Sequence, residues 1–449
     1  MAEKTQISQY DKLTKTPIPK LIIQLAIPTV LSMLITNIYN LADTAFVGML
    51  GTSASGAVGV VFGFMSVIQA MGFMFGQGSG SIISRLLGAK QDKEATKTAS
   101  TGFFCALAVG LILEILGFVF RRQLVLLLGS TETIAPYAET YITYILLAAP
   151  FMTASFVLNN ILRYEGKASI AMIGLMTGGI LNIGMDPLFM FVFGMGIAGA
   201  GLATGLSQCI SFTILLYMFL SGKTSSKITI REVSADPKYI GNICTTGLPS
   251  MLRQGLTSLA TVMLNGQAAA YGDAAVAALS IVSRIMFLVM SVGLGIGQGF
   301  QPVSAFNYGA KKYSRVRSAY RFTLTLAQAV VTFGAIVVFI CSGSLIGVFR
   351  DDPQVIEIGT RALRLQCVTI LFMPLCMITE MLFQSTGKKL GASILSSLRS
   401  GAFFIPAVLI LPRIRGLYGV QEAQPVAYVL AFIPAIIFAF RFFRNLPEG

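Results

Sequence analysis

Long apolar runs separated by short polar stretches organise this chain from end to end. A run of about 20 apolar residues crosses a bilayer as a helix. Twelve runs qualify, at 20–46, 54–82, 97–120, 134–160, 168–193, 198–221, 239–270, 275–300, 316–346, 355–384, 390–412 and 424–443. Strands of a membrane barrel would alternate apolar and polar residues over ~10-residue segments. These runs are longer and continuously apolar, so the pattern predicts an all-α membrane protein with twelve transmembrane helices. The residues before the first run are polar, with Lys4, Lys12 and Lys15, and no small-residue cleavage pattern follows. The first run is therefore expected to be a retained helix and not a signal peptide.

The runs also repeat. Pro28 in LAIPTVLSMLITNIY has its counterpart 221 residues later, in Pro249 of TGLPSMLRQGLTSLA. The same displacement pairs Gly51 with Gly272, GQG at Gly76–Gly78 with GQG at Gly297–Gly299, and GAK at Gly88–Lys90 with GAK at Gly309–Lys311. It also pairs Gly166-Lys167 with Gly387-Lys388. One displacement held over ~140 residues marks an internal repeat. Six spans return each half to its starting side, so the expected fold is two parallel six-helix lobes related by a pseudo-twofold along the membrane normal. The expected division is a cytoplasmic N-terminal segment 1–19, a first lobe 20–221, a polar linker 222–238, a second lobe 239–446 and a tail 447–449.

Composition agrees: 55% of residues are hydrophobic and 12% charged, against roughly 25% charged in soluble domains. The net charge of +14 suggests nucleic acid until its distribution is read. Both termini and the loops on their side carry about 23 Lys and Arg, including Arg85, Lys90, Lys93, Lys97 and the run Lys311, Lys312, Arg315, Arg317, Arg321; the opposite loops carry about five. The excess is topological, places both termini in the cytoplasm, and leaves no nucleic-acid partner. The six cysteines lie in or beside the runs without a C-x-x-C pair and read as reduced packing residues. The chain contains no histidine, which removes His-based metal sites and His-based nucleophilic triads. Gly222-Lys223-Thr224 resembles the end of a phosphate-binding loop, but Tyr217 stands where the motif needs its first glycine. The glycine runs GFMFGQGSGS and GLGIGQG lie inside spans and read as helix-packing surfaces, as do Gly174-x-x-x-Gly178 and Gly201-x-x-x-Gly205. Uphill movement of a solute would then draw on an ion gradient, with no cofactor beyond the coupling H⁺ or Na⁺.

A charge at the centre of a membrane helix costs about 2.5–3.5 kcal/mol on insertion scales and calls for a partner or a purpose. The candidates are Asp43, Glu114, Asp186, Arg253, Arg284, Glu380 and Arg399. Glu114 reads as a side chain snorkelling to the interface. Glu380 is expected to pair with Arg253, Arg284 or Arg399 in a second-lobe network. In LNIGMDPLF, Asn182 and Asp186 share a helix face at i and i+4, and Pro187 follows; a helix end at a loop is the alternative reading there. Asp43 sits beside Asn37, Tyr39 and Asn40 near the end of the first run, and Thr204 lies in GLATGLSQ. The repeat maps Asp43 onto Leu264, Asn182 onto Phe403 and Asp186 onto Ala407, so the acidic cluster is not duplicated with its scaffold.

LAIPTVLSMLITNIYNLADTAFVGMLG, ISRLLGAKQDKEA, LNIGMDPLFMFVFGMGIAGAGLATGLSQ and QGFQPVSAFNYGAKK together resemble the multidrug and toxic compound extrusion (MATE) family, on its bacterial MepA-like, DinF-related side. The resemblance covers nearly the whole chain. It implies two six-helix lobes around a central cavity that exports cationic amphipathic drugs in exchange for H⁺ or Na⁺. It implies a cation-coupling site at Asp43, Asn182, Asp186 and Thr204, and places Tyr39, Tyr141 and Asn159 along the drug or coupling cavity, with a bend at Pro28. Some branches carry an essential acid in the seventh helix, where this chain reads MLRQGLTSLATV without one. The expected setting is a bacterial plasma membrane and the expected state a monomer. A flippase for a lipid-linked precursor is the alternative, although an anionic cargo would want arginines where the first lobe offers carboxylates. An enzyme is not expected.

Overall fold

The computed structural model describes residues 9–447. Among them there is no strand, and twelve long helices follow one another. In the first half these are α1 (Ile18–Gly48), α2 (Thr52–Gly88), α3 (Asp92–Val119), α4 (Ala135–Tyr164), α5 (Ala168–Val192) and α6 (Ile197–Leu220). The second half has α7 (Pro237–Ala269), α8 (Asp273–Gly309), α9 (Tyr313–Ile340), α10 (Pro353–Ser385), α11 (Lys389–Arg415) and α12 (Leu417–Arg444). Eleven are long and apolar enough to cross a membrane. The twelfth, α7, is as long but more polar, holding Lys238, Arg253 and Gln254. Helices α2 and α8 run 6 and 9 residues past the apolar runs that predict them, to Gly88 and Gly309. Hydropathy marks where lipid ends, whereas a helix ends where its backbone is capped.

The repeat extends to backbone angles. Gly51 and Gly272 join the first and second helices of their halves at φ 115° and 98°, a region that a side chain on Cβ disfavours. Lys90 and Lys311 close the second helices at φ 59° and 58°. Short helices at Arg121–Leu127 and Ser342–Phe349, which the hydropathy reading does not separate as elements, also begin 221 residues apart.

Two compact units emerge, one comprising residues 31–251 and the other joining residues 1–30 to 252–449. Their borders fall inside α1 and α7, again at equivalent positions. In the first unit the opening part of α7 packs on α2: a Cβ on Gly78 would overlap the Ile243 carbonyl, and one on Gly247 the Met74 carbonyl. In the other unit the opening part of α1 packs on α8, where a Cβ on Gly299 would fall 2.7 Å from Ala26 backbone atoms. Gly78 and Gly299 belong to the paired GQG segments, which therefore serve close helix packing. Gly174 and Gly178 against Leu215 and Ser211, and Gly201 and Gly205 against Tyr144, do the same between neighbouring helices.

Within the first unit the linker is strapped to helix ends. The buried Glu165 carboxylate accepts the backbone N–H groups of Ser225 and Ser226 at 2.8 Å each and the Lys167 ammonium at 3.1 Å. Farther along, Ser100 Oγ donates to the Lys227 carbonyl (3.3 Å) and accepts from Thr229 N–H (3.1 Å), while Ser234 N–H donates to Thr101 (3.0 Å). Polar backbone beside an apolar bundle is thus satisfied by the bundle's own hydroxyls and one carboxylate.

Candidate cation-coupling site

Local sequence sets the site's geometry. Asp186 remains helical despite the proline after it: the α-helix runs from Ala168 to Pro187 and then widens into a π turn at Leu188–Val192. Proline cannot donate the next helical bond, and π turns of this kind gather at functional positions. Asn182 and Asp186 therefore keep a common face. The Asn182 amide donates to Asp186 Oδ1 and to Thr204 Oγ1 of α6, each at 3.3 Å. All three residues are buried, Asp186 completely. Serine, glycine and alanine on the facing surfaces permit the approach; Ser211 donates to the Gly174 carbonyl at 2.9 Å.

Asp43 enters from the last part of α1, half-buried and close enough to interact with the Asp186 charge. Tyr141 of α4 is fully buried and lies in the field of both aspartates. Tyr39 stands over Gly179, where a Cβ would meet its ring at 3.0 Å. The structure therefore brings Asp43, Asn182, Asp186, Thr204, Tyr39 and Tyr141 together inside the first unit. The Asn159 amide donates to the Ala171 carbonyl at 2.9 Å and ties α4 to α5.

Three buried oxygens here have no hydrogen-bond partner: Asp43 Oδ1, Asn182 Oδ1 and Asp186 Oδ2. Buried polar atoms are almost always paired, so three unpaired acceptors, two on carboxylates and one on an amide, form an arrangement that could hold a cation. Oxygen donors of this kind suit a hard cation such as Na⁺, and the carboxylate pair equally suits a shared proton. Asn37 adds a buried amide nitrogen without a partner. Sequence reasoning places Asn37 near Asp43 but gives it no role; its side chain lies nearly two turns before Asp43, off that residue's face.

In the other unit the second-lobe candidates separate. Arg253 and Glu380 form a buried ion pair at 2.7 Å. Arg284 is exposed on α8, and Arg399 is half-buried, its guanidinium 4.0 Å from the Met373 sulfur. Among the described residues neither pairs with a carboxylate. Pro28 lies inside an unbroken helix, Ile18–Gly48.

Comparison with known proteins follows the same geometry. The MatE family model matches residues 28–188 and again residues 249–410, so its two copies begin at Pro28 and Pro249. The multidrug export protein MepA of Staphylococcus aureus (strain MSSA476) is 26% identical over 427 residues, covering 95% of this chain and 94% of its own. A solved outward-facing conformation of a multidrug resistance MATE family transporter superposes with a TM-score of 0.92 at 26% identity, covering 98% of this chain and 99% of that one. A transporter from Pyrococcus furiosus, described as having a binding pocket of reverse polarity, superposes with a TM-score of 0.92 at 27% identity and the same coverage.

Proposed function

We propose, for a chain that belongs to the multidrug and toxic compound extrusion (MATE) family, that it exports cationic amphipathic drugs from a bacterial cell in exchange for H⁺ or Na⁺. The observation that carries this reading is the set of unpaired buried oxygens on Asp43, Asn182 and Asp186. Two carboxylates in a membrane helix bundle, without a basic partner among the described residues, favour acquisition of a positive charge. Asn182 orients the pair by donating to Asp186, and Thr204 offers its hydroxyl oxygen to the same amide. Tyr141 lies buried in the field of both aspartates, and Tyr39 closes the α1 side against Gly179.

In this mechanism an exported organic cation and the coupling ion draw on one limited supply of negative charge. Charging the cluster from outside lowers its attraction for the drug; discharging it inside restores that attraction. A pH unit of gradient supplies about 1.4 kcal/mol per proton, and 100 mV supplies about 2.3 kcal/mol per charge moved. One coupling proton exchanged for a monovalent drug moves no net charge and supplies about tenfold per pH unit. Two protons add one net charge and together supply roughly three to four powers of ten at one pH unit and 100 mV. The protein works as a monomer, with both termini cytoplasmic. The flippase reading has no support from these relatives.

The test is purified protein in proteoliposomes loaded with a fluorescent organic cation, with a pH gradient and a Na⁺ gradient imposed in separate runs. Dye movement against its gradient with either ion is the expected result. Movement with neither would set this function aside.

A further inference from the structure

The second unit carries a cleft between α9 and α12 that the transport reading does not use. It consists of two adjoining cavities of about 320 and 540 Å³ that share Tyr320 and Phe443. The smaller is edged by Arg317 and Arg321, and the larger by Arg444 at one end. The body of the larger is apolar, formed by Leu324, Leu375, Ile436 and Phe440 among others. Tyr320 is a fixed wall: it is buried, bonds the Thr379 hydroxyl at 2.9 Å, and its ring lies 4.8 Å from that of Phe443. Arg317 donates to the Phe443 carbonyl at 3.2 Å. Arg321 and Arg444 are exposed, and among the described residues none of the three arginines pairs with a carboxylate.

The repeat says what kind of occupant this cleft wants. Arg317 and Arg321 stand 221 residues after Thr96 and Ser100. In the first half those two positions hold the linker: Thr96 accepts Lys227 N–H at 3.4 Å, and Ser100 bonds Lys227 and Thr229. One copy of the scaffold thus presents hydroxyls to a polar strap of its own chain. The other presents guanidinium groups at the mouth of an apolar trough.

We propose that this cleft binds an anionic phospholipid, its phosphate held by Arg321, Arg444 and Arg317 and an acyl chain laid along the Leu324–Ile436 trough. Arg317 and Arg321 lie one and two turns into α9 from Tyr313, at the start of the apolar run 316–346, where a helix would enter the bilayer from the headgroup layer. Basic pockets between membrane helices at that level take acidic headgroups, and a planar guanidinium matches phosphate oxygens two at a time.

The experiment uses the full chain purified in neutral detergent and native mass spectrometry, with phosphatidylglycerol and phosphatidylcholine of identical acyl chains as probes. Phosphatidylglycerol should be retained about tenfold better than phosphatidylcholine. The double variant R321Q/R444Q should reduce it to the phosphatidylcholine level, since both side chains are exposed and their loss leaves the bundle intact. A439F, which fills the trough without touching charge, should also weaken retention. R413Q, an exposed arginine elsewhere, should have no effect. Equal retention of the two lipids overturns the proposal, as does parent-like binding by either R321Q/R444Q or A439F. Displacement of the lipid by inorganic phosphate alone would instead identify a free-anion site and also overturn it.

Discussion

Replacing Glu380 with Gln separates a structural ion pair from a coupling residue. Glu380 and Arg253 are buried and meet at 2.7 Å. The amide keeps a hydrogen-bond acceptor but removes the charge, leaving Arg253 with less compensation inside the bundle. Breaking a buried pair costs about 3–5 kcal/mol, while replacing both partners by neutral groups is often close to harmless. Because Gln retains one bond, E380Q should cost about 2–4 kcal/mol. R253Q/E380Q should recover most of that loss, giving a coupling energy on the order of 2 kcal/mol. Thermal unfolding in micelles, followed by the monodisperse fraction surviving heating, reads both variants. E380Q should melt several degrees below the parent and the double variant near it, both with residual dye export. An E380Q protein that melts like the parent yet no longer exports dye would refute the structural assignment and make Glu380 part of the coupling.

Other consequences are direct. Pro28→Ala should fold normally and lower turnover in proteoliposomes, because proline lets α1 bend there at little cost in hydrogen bonding; unchanged turnover removes the hinge. Gly247→Leu should lower stability by at least about 1–3 kcal/mol or prevent folding, since even a Cβ overlaps the Met74 carbonyl; near-parental thermal stability would contradict the packing of α7 on α2. For topology, cysteines placed at the exposed Lys223 and Asp273 in a cysteine-free background should differ in labelling by an impermeant reagent on intact cells. Asp273→Cys should react and Lys223→Cys should not, and the reverse would overturn the cytoplasmic assignment of the termini.

Helices, repeat and cluster were legible for physical reasons. Each span announces itself through the length of an apolar run, and the repeat through glycines that backbone angles or close contacts hold in place, such as Gly51 and Gly272. Asn182 and Asp186 were readable because i and i+4 share a face, and the structure joins them at 3.3 Å. Other features depend on contacts distant in sequence. Nothing local tells Gly247 that Met74 lies against it, so the division of α1 and α7 between two units was not foreseen. The strap on Glu165 joins residues about 60 apart through two backbone N–H groups, which carry no sequence signature. Three arginines were equivalent partners for Glu380 by composition, yet only geometry paired it with Arg253. The bond from the Asn159 amide to the Ala171 carbonyl likewise joins two helices through a backbone acceptor that carries no sequence signature.

The central claim is that Asp43 and Asp186 jointly hold the charge exchanged for the drug. Dye export should be measured in proteoliposomes for the parent, Asp43→Asn and Asp186→Asn, with H⁺ and Na⁺ gradients imposed separately and protein incorporation matched. Each substitution removes a costly intramembrane charge and keeps the side chain's size, so expression and melting should stay near parental. The account predicts that both variants lose gradient-driven export and the parent's response to the coupling ion. Export against the dye gradient by both variants, with the parent's dependence on pH and Na⁺ intact, would contradict it.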